Sequence, residues 1–480
     1  YNEAEKVISR QTDYLASSVR TDTSKGRAIV LFNTLSFDRT APAKVNVRFE
    51  EGFAKMLSLS NVDGKPVDFQ LSDVSYYPDN SIEKATIHFV ADMPSMGLNT
   101  YYLRNSDKMM GIQSAPDNRM IENQYYKIEF ANGGIKQIWD KELNQPLLKT
   151  DKFLGGEITT MHSKGNGAGE FDAVQQPDME GFDKTSLHAG EWEVVENGPV
   201  YTSYKMRTPI RHAVVEQVIR VYHQMKRIDF DVDLLNWEGV MFRDFRMMLP
   251  LAFGKAEVSY EVPYGALTVG KDEMPGAAGE RYYVENKLQH PRGIGNWISA
   301  ASEKVAVTLS SSVAVADYID PTDNPVDYTI LQPILMASRR SCHGLGNDYF
   351  QPGDHSFRFS MTSHKPNSIK REEAGVSGNS PLDYVYSPAE KKNASLAEKT
   401  SFFSVDNPLV KVTTVKKCED DNSLIVRLYN TSGEEQKVNI SCMGKSFDII
   451  NTNLIEEELQ PVESFVLGKY AIETYKLKIK

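Results

Sequence analysis

The stretch Arg227-Ile-Asp-Phe-Asp-Val-Asp-Leu-Leu-Asn-Trp237 decides the fold class. Phe230, Val232 and Leu234 alternate with Asp229, Asp231 and Asp233, a two-residue period that puts apolar side chains on one face of a strand and carboxylates on the other. A helix would spread the same carboxylates around its circumference, so the segment predicts a strand with one buried face. The same alternation recurs outward in both directions, at Tyr126, Ile128 and Phe130, at Val45, Val47 and Phe49, and at Phe357, Phe359 and Met361. It ends with Tyr475, Leu477 and Ile479 interleaved with Lys476, Lys478 and Lys480, a charged comb that discourages edge-to-edge pairing. Only the N-terminus reads differently. Ala4, Val7, Ile8, Gln11, Leu15 and Val19 lie near helical spacing and predict a short helix within residues 1–20. Such a helix either docks on the following domain or is the last member of a bundle.

Strand patterning lapses at residues 105–117 and again at 365–399, where Ser, Asn, Pro and Lys accumulate. These breaks predict three β units after the helix: residues 21–107, 116–370 and 400–480. The expected class is mainly β, and a middle unit of that size calls for large antiparallel sheets packed face to face.

The 480 residues, 40% of them hydrophobic, are enough for several packed cores. Fifty-four basic residues against 65 acidic ones leave a net charge of -11, which offers no general attraction to nucleic acid or to an anionic membrane. Apolar runs such as residues 28–32 are far too short to cross a bilayer, and no signal-peptide pattern opens the chain, so a soluble protein without a membrane partner is expected. Cys342, Cys418 and Cys442 are too scattered for a disulfide framework or a paired-cysteine metal site.

Local motifs for chemistry are missing. There is no HExxH, GxSxG, Walker loop or dinucleotide fingerprint, and the histidines are dispersed. Two segments stand out instead. Residues 153–182 combine glycines at 155, 156, 165, 167 and 169 with Glu157, His162, Asn166, Glu170 and Asp172, a set that suits a polyhydroxylated ligand, although a long ordered connection capping its own turns is the favoured reading of the residues alone. Residues 338–364 bring Arg339, Arg340, His343, Asn347, Asp348, Tyr349 and His355 into a turn-rich stretch before a strand. Planar donors, amides and an aromatic ring form a sugar-facing set, although Arg339 or Arg340 could equally pair with a buried carboxylate. Trp237 and Trp297 could stack on a sugar ring or fill the core.

In order along the chain, the stretches AIVLFNTLSFDR at 28–39, GLNTYYL at 97–103, ENQYYKIEFANGGIKQIWDKELNQPLL at 122–148, GPVYTSYKM at 198–206, KRIDFDVDLLNWEGVMFRDFRMMLPL at 226–251, YEVPYGAL at 260–267, SRRSCHGLGN at 338–347 and LIVRLYNTSGEEQKVNI at 424–440 resemble the C-terminal region of glycoside hydrolase family 38 α-mannosidases. The resemblance implies a galactose-mutarotase-like supersandwich flanked by smaller β-sandwiches, with residues 1–20 as the last helix of a three-helix region. It also implies a parent enzyme that hydrolyses terminal α-mannosides with retention, using two carboxyl groups about 5 to 5.5 Å apart and a zinc ion that binds sugar hydroxyls. In such enzymes the nucleophile and the zinc ligands belong to an N-terminal catalytic domain of the same polypeptide. No catalytic residue, metal ligand or cofactor is therefore expected of this chain alone, and its expected partners are that domain and an α-mannoside or oligosaccharide.

The resemblance further implies that the C-terminal half contributes a wall and rim of the sugar site. His343 matches a family Arg that reaches the sugar, a replacement that keeps a donor but loses the planar fork. Glu157 matches a family Tyr in a loop-strand segment. The substrate-facing expectation is therefore Glu157, Asn166, Glu170, His343 and Asn347, in a piece inactive by itself. Two alternatives remain open at this point: a stand-alone carbohydrate-binding β protein, and a lyase or epimerase on the same supersandwich.

Overall fold

The computed structural model describes residues 2–107, 116–164, 176–274, 283–284, 287–288, 291–340, 348–387 and 394–480. They form two compact units, one from residues 113–379 and the other from residues 1–112 together with 380–480. The expectation of a mainly β chain with an N-terminal helix holds, and among the described residues no helix is long and apolar enough to cross a membrane.

The larger unit is a supersandwich. One layer is a nine-stranded antiparallel sheet in the order Glu193–Asn197, Tyr201–Ile210, Ala213–Tyr222, Ile228–Trp237, Gly353–His364, Ala306–Ser311, Trp297–Ala301, Glu257–Val262 and Gly265–Thr268. The second is six-stranded, in the order Gln176–Lys184, Glu157–Lys164, Arg243–Pro250, Ile330–Ala337, Val315–Asp317 and Arg292–Gly293. A four-stranded sheet of Gln145–Pro146, Gly134–Asp140, Tyr126–Ala131 and Met120–Glu122 completes it. Phe230, Val232 and Leu234 are fully buried in one core with Phe245, Met247 and Leu249 of the six-stranded sheet. The acidic face is not left to solvent alone. Asp229 is almost enclosed, accepting hydrogen bonds from Ser360 Oγ at 2.6 Å and Tyr222 OH at 3.1 Å, while Asp231 pairs with Arg220.

Residues 365–399, read from sequence as a break, contain the helix Ser368–Asn379 and the strand Asp383–Tyr386. The side chain of Asn367 accepts from the Lys370 amide at 3.0 Å, an N-cap that the surrounding Pro and Ser content disguises. The helix lies on the nine-stranded sheet at glycines. A Cβ on Gly375 would stand 2.2 Å from the Trp297 ring, and one on Gly378 would stand 2.3 Å from Ser310. Both contacts require a bare backbone.

In the other unit, Leu57–Asn61, Gly97–Asn105, Arg27–Asn33 and Asp383–Tyr386 form one sheet, and Lys399–Ser401 also joins Gly97–Asn105. It packs on Arg39–Arg48, Ile82–Met93 and Phe69–Tyr76 around a core that includes Ile29, Val45, Ile87 and Phe89. A strand from beyond residue 380 thus finishes a sandwich begun at residue 27. The last sandwich centres on the order Val410–Lys417, Leu424–Asn430, Ile472–Ile479, Phe447–Thr452 and Glu458–Val462. The helix Asn2–Ser17 buries Ala16 but leaves Val7, Ile8 and Tyr14 at least half exposed.

Two outcomes follow for the supersandwich. Gly375→Ala should destabilise the protein by about 1–3 kcal/mol in urea unfolding, because Trp297 cannot give way in a packed core. The second concerns His364, whose Nδ1–H donates to the Lys365 carbonyl at 2.8 Å while Nε2 accepts from Thr308 Oγ1 at 2.9 Å, an arrangement of the neutral ring. Burial holds its pKa below 6.5, with the charges of Arg371, Lys226 and Lys370 acting in the same direction, and burial also lowers His223. The unfolded chain therefore takes up these protons first, so the stability present above pH 6.5 falls as the pH drops toward 5. Urea unfolding at pH 7.5 and pH 5 should show the loss, and His364→Asn should reduce it.

Candidate functional site

The two segments singled out from sequence meet at one end of the six-stranded sheet. Glu157–Lys164 pairs with Arg243–Pro250 so that His162 faces Arg243, and Arg243–Pro250 pairs with Ile330–Ala337 so that Asp244 faces Ala337. Ser163 N–H donates to the Phe242 carbonyl and Ser338 N–H to that of Arg243, each at 2.9 Å. Arg339 Nη2 then reaches Ser163 Oγ at 3.3 Å, joining residues 176 positions apart. Phe242, between the two roots, has a φ of 59°, a left-handed conformation that costs a non-glycine residue about 1–2 kcal/mol.

The charges here are buried in sequence. Arg243–Pro250 is buried at every position, so Asp244 and Arg246 must find partners inside the protein. Arg246 Nη1 donates to Asp317 Oδ2 at 2.8 Å, its Nη2 donates to Asp244 Oδ2 at 3.2 Å, and Asp244 Oδ1 accepts from Arg339. The chain Asp317–Arg246–Asp244–Arg339 alternates in sign. Burial depresses the Arg246 pKa, but Asp317 and Asp244 outweigh it and the net direction is upward. Arg243 is held differently: its Nη1 donates to the Glu180 carbonyl at 3.0 Å and its Nη2 to that of Gly181 at 2.6 Å, and burial followed by repulsion from Arg211 lowers its pKa.

Glu157 sits at the opposite end of its strand, completely enclosed. Its carboxylate accepts from the Leu154 amide at 2.8 Å and the Ser186 amide at 3.2 Å, with Lys184 Nζ at 3.7 Å. In the described chain it works as a turn-holding group. Asn166, Glu170, His343 and Asn347 lie outside the described residues. Both tryptophans belong to the core: Trp297 is fully buried, and Trp237 is 2% exposed with its indole N–H donating to the Phe350 carbonyl at 2.7 Å.

One grouping was not visible as a motif. His162, Asp178 and Glu180 converge across the hairpin of Glu157–Lys164 and Gln176–Lys184, offering a histidine nitrogen and two carboxylate oxygens that could hold a metal ion. Seventeen intervening positions hide the partnership of His162 and Glu180 from a scan of local spacings, and only the strand pairing reveals it. A cleft of about 590 Å³ lies elsewhere in this unit, among Asp117, Arg119, Glu129, Lys136, Glu191 and Trp192. Its charged groups are solvated and Trp192 donates its indole N–H to the Ala131 carbonyl, so the buried charges favour the sheet end as the site.

Residues 121–312 match the glycosyl hydrolases family 38 C-terminal domain, and residues 409–475 match that family's C-terminal beta sandwich domain. The two matches together cover just over half of the chain, which belongs to the C-terminal region of glycosyl hydrolase family 38. A curated relative, alpha-mannosidase G of Dictyostelium discoideum, is 24% identical over 358 residues, covering 72% of this chain and 30% of the relative. An alpha-mannosidase from Enterococcus faecalis V583 superposes with a TM-score of 0.76 at 16% identity, over 99% of this chain and 59% of that one. A second Enterococcus faecalis structure, of a protein in family 38, gives 0.75 at 14% identity, over 96% of this chain and 59% of that one. At such identities the structures establish the fold. The chain spans less than a third of the curated relative and under two thirds of each structural relative.

The buried ion chain gives a stability test. Arg246→Met should cost about 3–5 kcal/mol in urea unfolding, since it strands Asp317 and Asp244 without their shared cation. Adding Asp317→Leu should recover part of that loss, the signature of a buried pair whose desolvation offsets its attraction.

Proposed function

We propose that this chain is the C-terminal portion of an α-mannosidase and forms one wall of the site that receives a terminal α-mannosyl group. The observation that carries the reading is the match to two family 38 C-terminal domains in chain order. The convergence of residues 153–182 and 338–364 at the sheet end, joined through Arg339 and Ser163, supports placing the sugar-facing groups there.

In this reading Asn166, Glu170, His343 and Asn347 meet the substrate, and Arg339, tied to Asp244, is the charged anchor behind them. Glu157 supports the sheet from its other end. The nucleophile, the acid that protonates the leaving oxygen and the zinc belong to the remainder of the parent polypeptide, and a carboxylate nucleophile there, forming a covalent glycosyl-enzyme, makes the reaction a retaining one. A saccharide is a neutral, multiply hydroxylated ligand, and such a wall serves it through directional hydrogen bonds from amides, imidazole and guanidinium.

The test is hydrolysis of an aryl α-mannoside with added zinc. The longer parent protein should turn it over, and the 480-residue chain should not rise above background. His343→Ala in the parent should raise KM by about tenfold, the loss of one hydrogen bond to the sugar. Turnover by the 480-residue chain would refute its inactivity. Hydrolysis of other glycosides but not mannosides by the parent would refute the substrate.

A further inference from the structure

We infer that His162, Asp178 and Glu180 form a binding site for a divalent first-row cation on the hairpin of the six-stranded sheet. The inference rests on the chain's own side chains and is independent of the mannosidase reading. One nitrogen of His162 and one oxygen from each carboxylate all lie within 4.8 Å of one another. Among the described residues no other three His, Cys, Asp or Glu side chains gather in this way, in a chain with 65 acidic residues and nine histidines.

Sheet geometry produces the convergence. His162 is directly opposite Asp178 in the antiparallel pair, so the two side chains leave the sheet on the same face. Glu180 lies two residues beyond Asp178, inside the bulge where the register shifts opposite Thr160 and His162, and its carboxylate reaches the same cluster. The ligand atoms are also nearly at the required separation. A zinc or manganese ion with bonds of about 2.1 Å holds neighbouring ligand atoms about 3 to 4 Å apart. Rotation of side chains closes the remaining gap.

The backbone beneath the ligands is already held. Asp178 Oδ1 accepts the Glu180 amide at 2.8 Å, while Oδ2 stands 3.0 Å from His162 Nδ1. Arg243 clamps the Glu180 and Gly181 carbonyls at 3.0 and 2.6 Å. Gly181, at φ 57°, makes the turn of chain that this clamp needs. Two carboxylates balance a doubly charged ion, and one imidazole with two carboxylates selects Zn²⁺, Mn²⁺ or Co²⁺ over thiolate-seeking metals. Three protein ligands leave coordination positions open to water or to a ligand oxygen. The Arg243 charge opposes the ion and sets the expected affinity in the micromolar range.

The rival account is a His162–Asp178 ion pair with no metal affinity. Calorimetric titration of the metal-free 480-residue protein with Zn²⁺ and with Mn²⁺ separates the two. One saturable site is expected, with a dissociation constant of about 10 μM, and Co²⁺ should add a visible absorption band. His162→Ala and Asp178→Asn should each weaken binding at least about tenfold. Asp178→Asn keeps the oxygen that accepts the Glu180 amide, so the hairpin persists, and an unchanged melting temperature verifies this. His355→Ala, at a half-buried histidine bonded to the Gln351 carbonyl, should leave binding unchanged. Absence of saturable binding, or binding that survives His162→Ala, overturns the site.

Discussion

Arg246 lies in a strand that is buried along its whole length, and its guanidinium is the only cation placed between Asp317 and Asp244 among the described ion pairs. Ionised groups taken out of water need partners with good geometry, and the partners in turn need positions that do not move. Asp317 comes from the strand Val315–Asp317, Asp244 from Arg246's own strand, and Arg339 from just beyond Ile330–Ala337. The ion chain therefore ties three strands of the six-stranded sheet together from the side opposite the apolar core. Replacing buried ion pairs with hydrophobic residues of similar size is often neutral for stability, so what this chain of charges fixes directly is the arrangement of the strands.

That arrangement decides what reaches the sheet end. Arg339 is turned toward Ser163 by its bond to Asp244, and Ser338 and Ser163 anchor to consecutive residues around the left-handed Phe242. A few hydrogen bonds thus bring two polar segments from distant parts of the chain to one place. Arg243 performs the corresponding task for the neighbouring hairpin by holding two carbonyls. The arginines here act as backbone organisers, and the planar fork suits them to that work better than a lysine would.

Much of the fold was legible because alternation is a local property. The carboxylates between Ile228 and Leu234 could lie on one face only in a strand, and the strand Ile228–Trp237 sits in the middle of the nine-stranded sheet. The helix Ser368–Asn379 escaped because its cap and glycines resemble a linker until Trp297 and Ser310 are seen against it. Asp383–Tyr386 escaped because its pairing partner, Arg27–Asn33, lies more than 340 residues earlier. For the tryptophans the core reading was the right one, and the composition of residues 153–182 could not tell a buried turn-holder such as Glu157 from a group facing a ligand.

By itself the sequence determined the strand-rich class, the N-terminal helix, the lack of any local catalytic motif and, through ordered stretches spread across the chain, the family. Each of these depends on neighbours in sequence or on order along it. Only the tertiary structure decided which charges are buried and paired, that Glu157 is enclosed, and that His162 meets Asp178 and Glu180. Those outcomes depend on register between strands and on the loss of water from particular faces. A shift of one residue in pairing would send every one of those side chains to the opposite face, and no local pattern specifies that pairing.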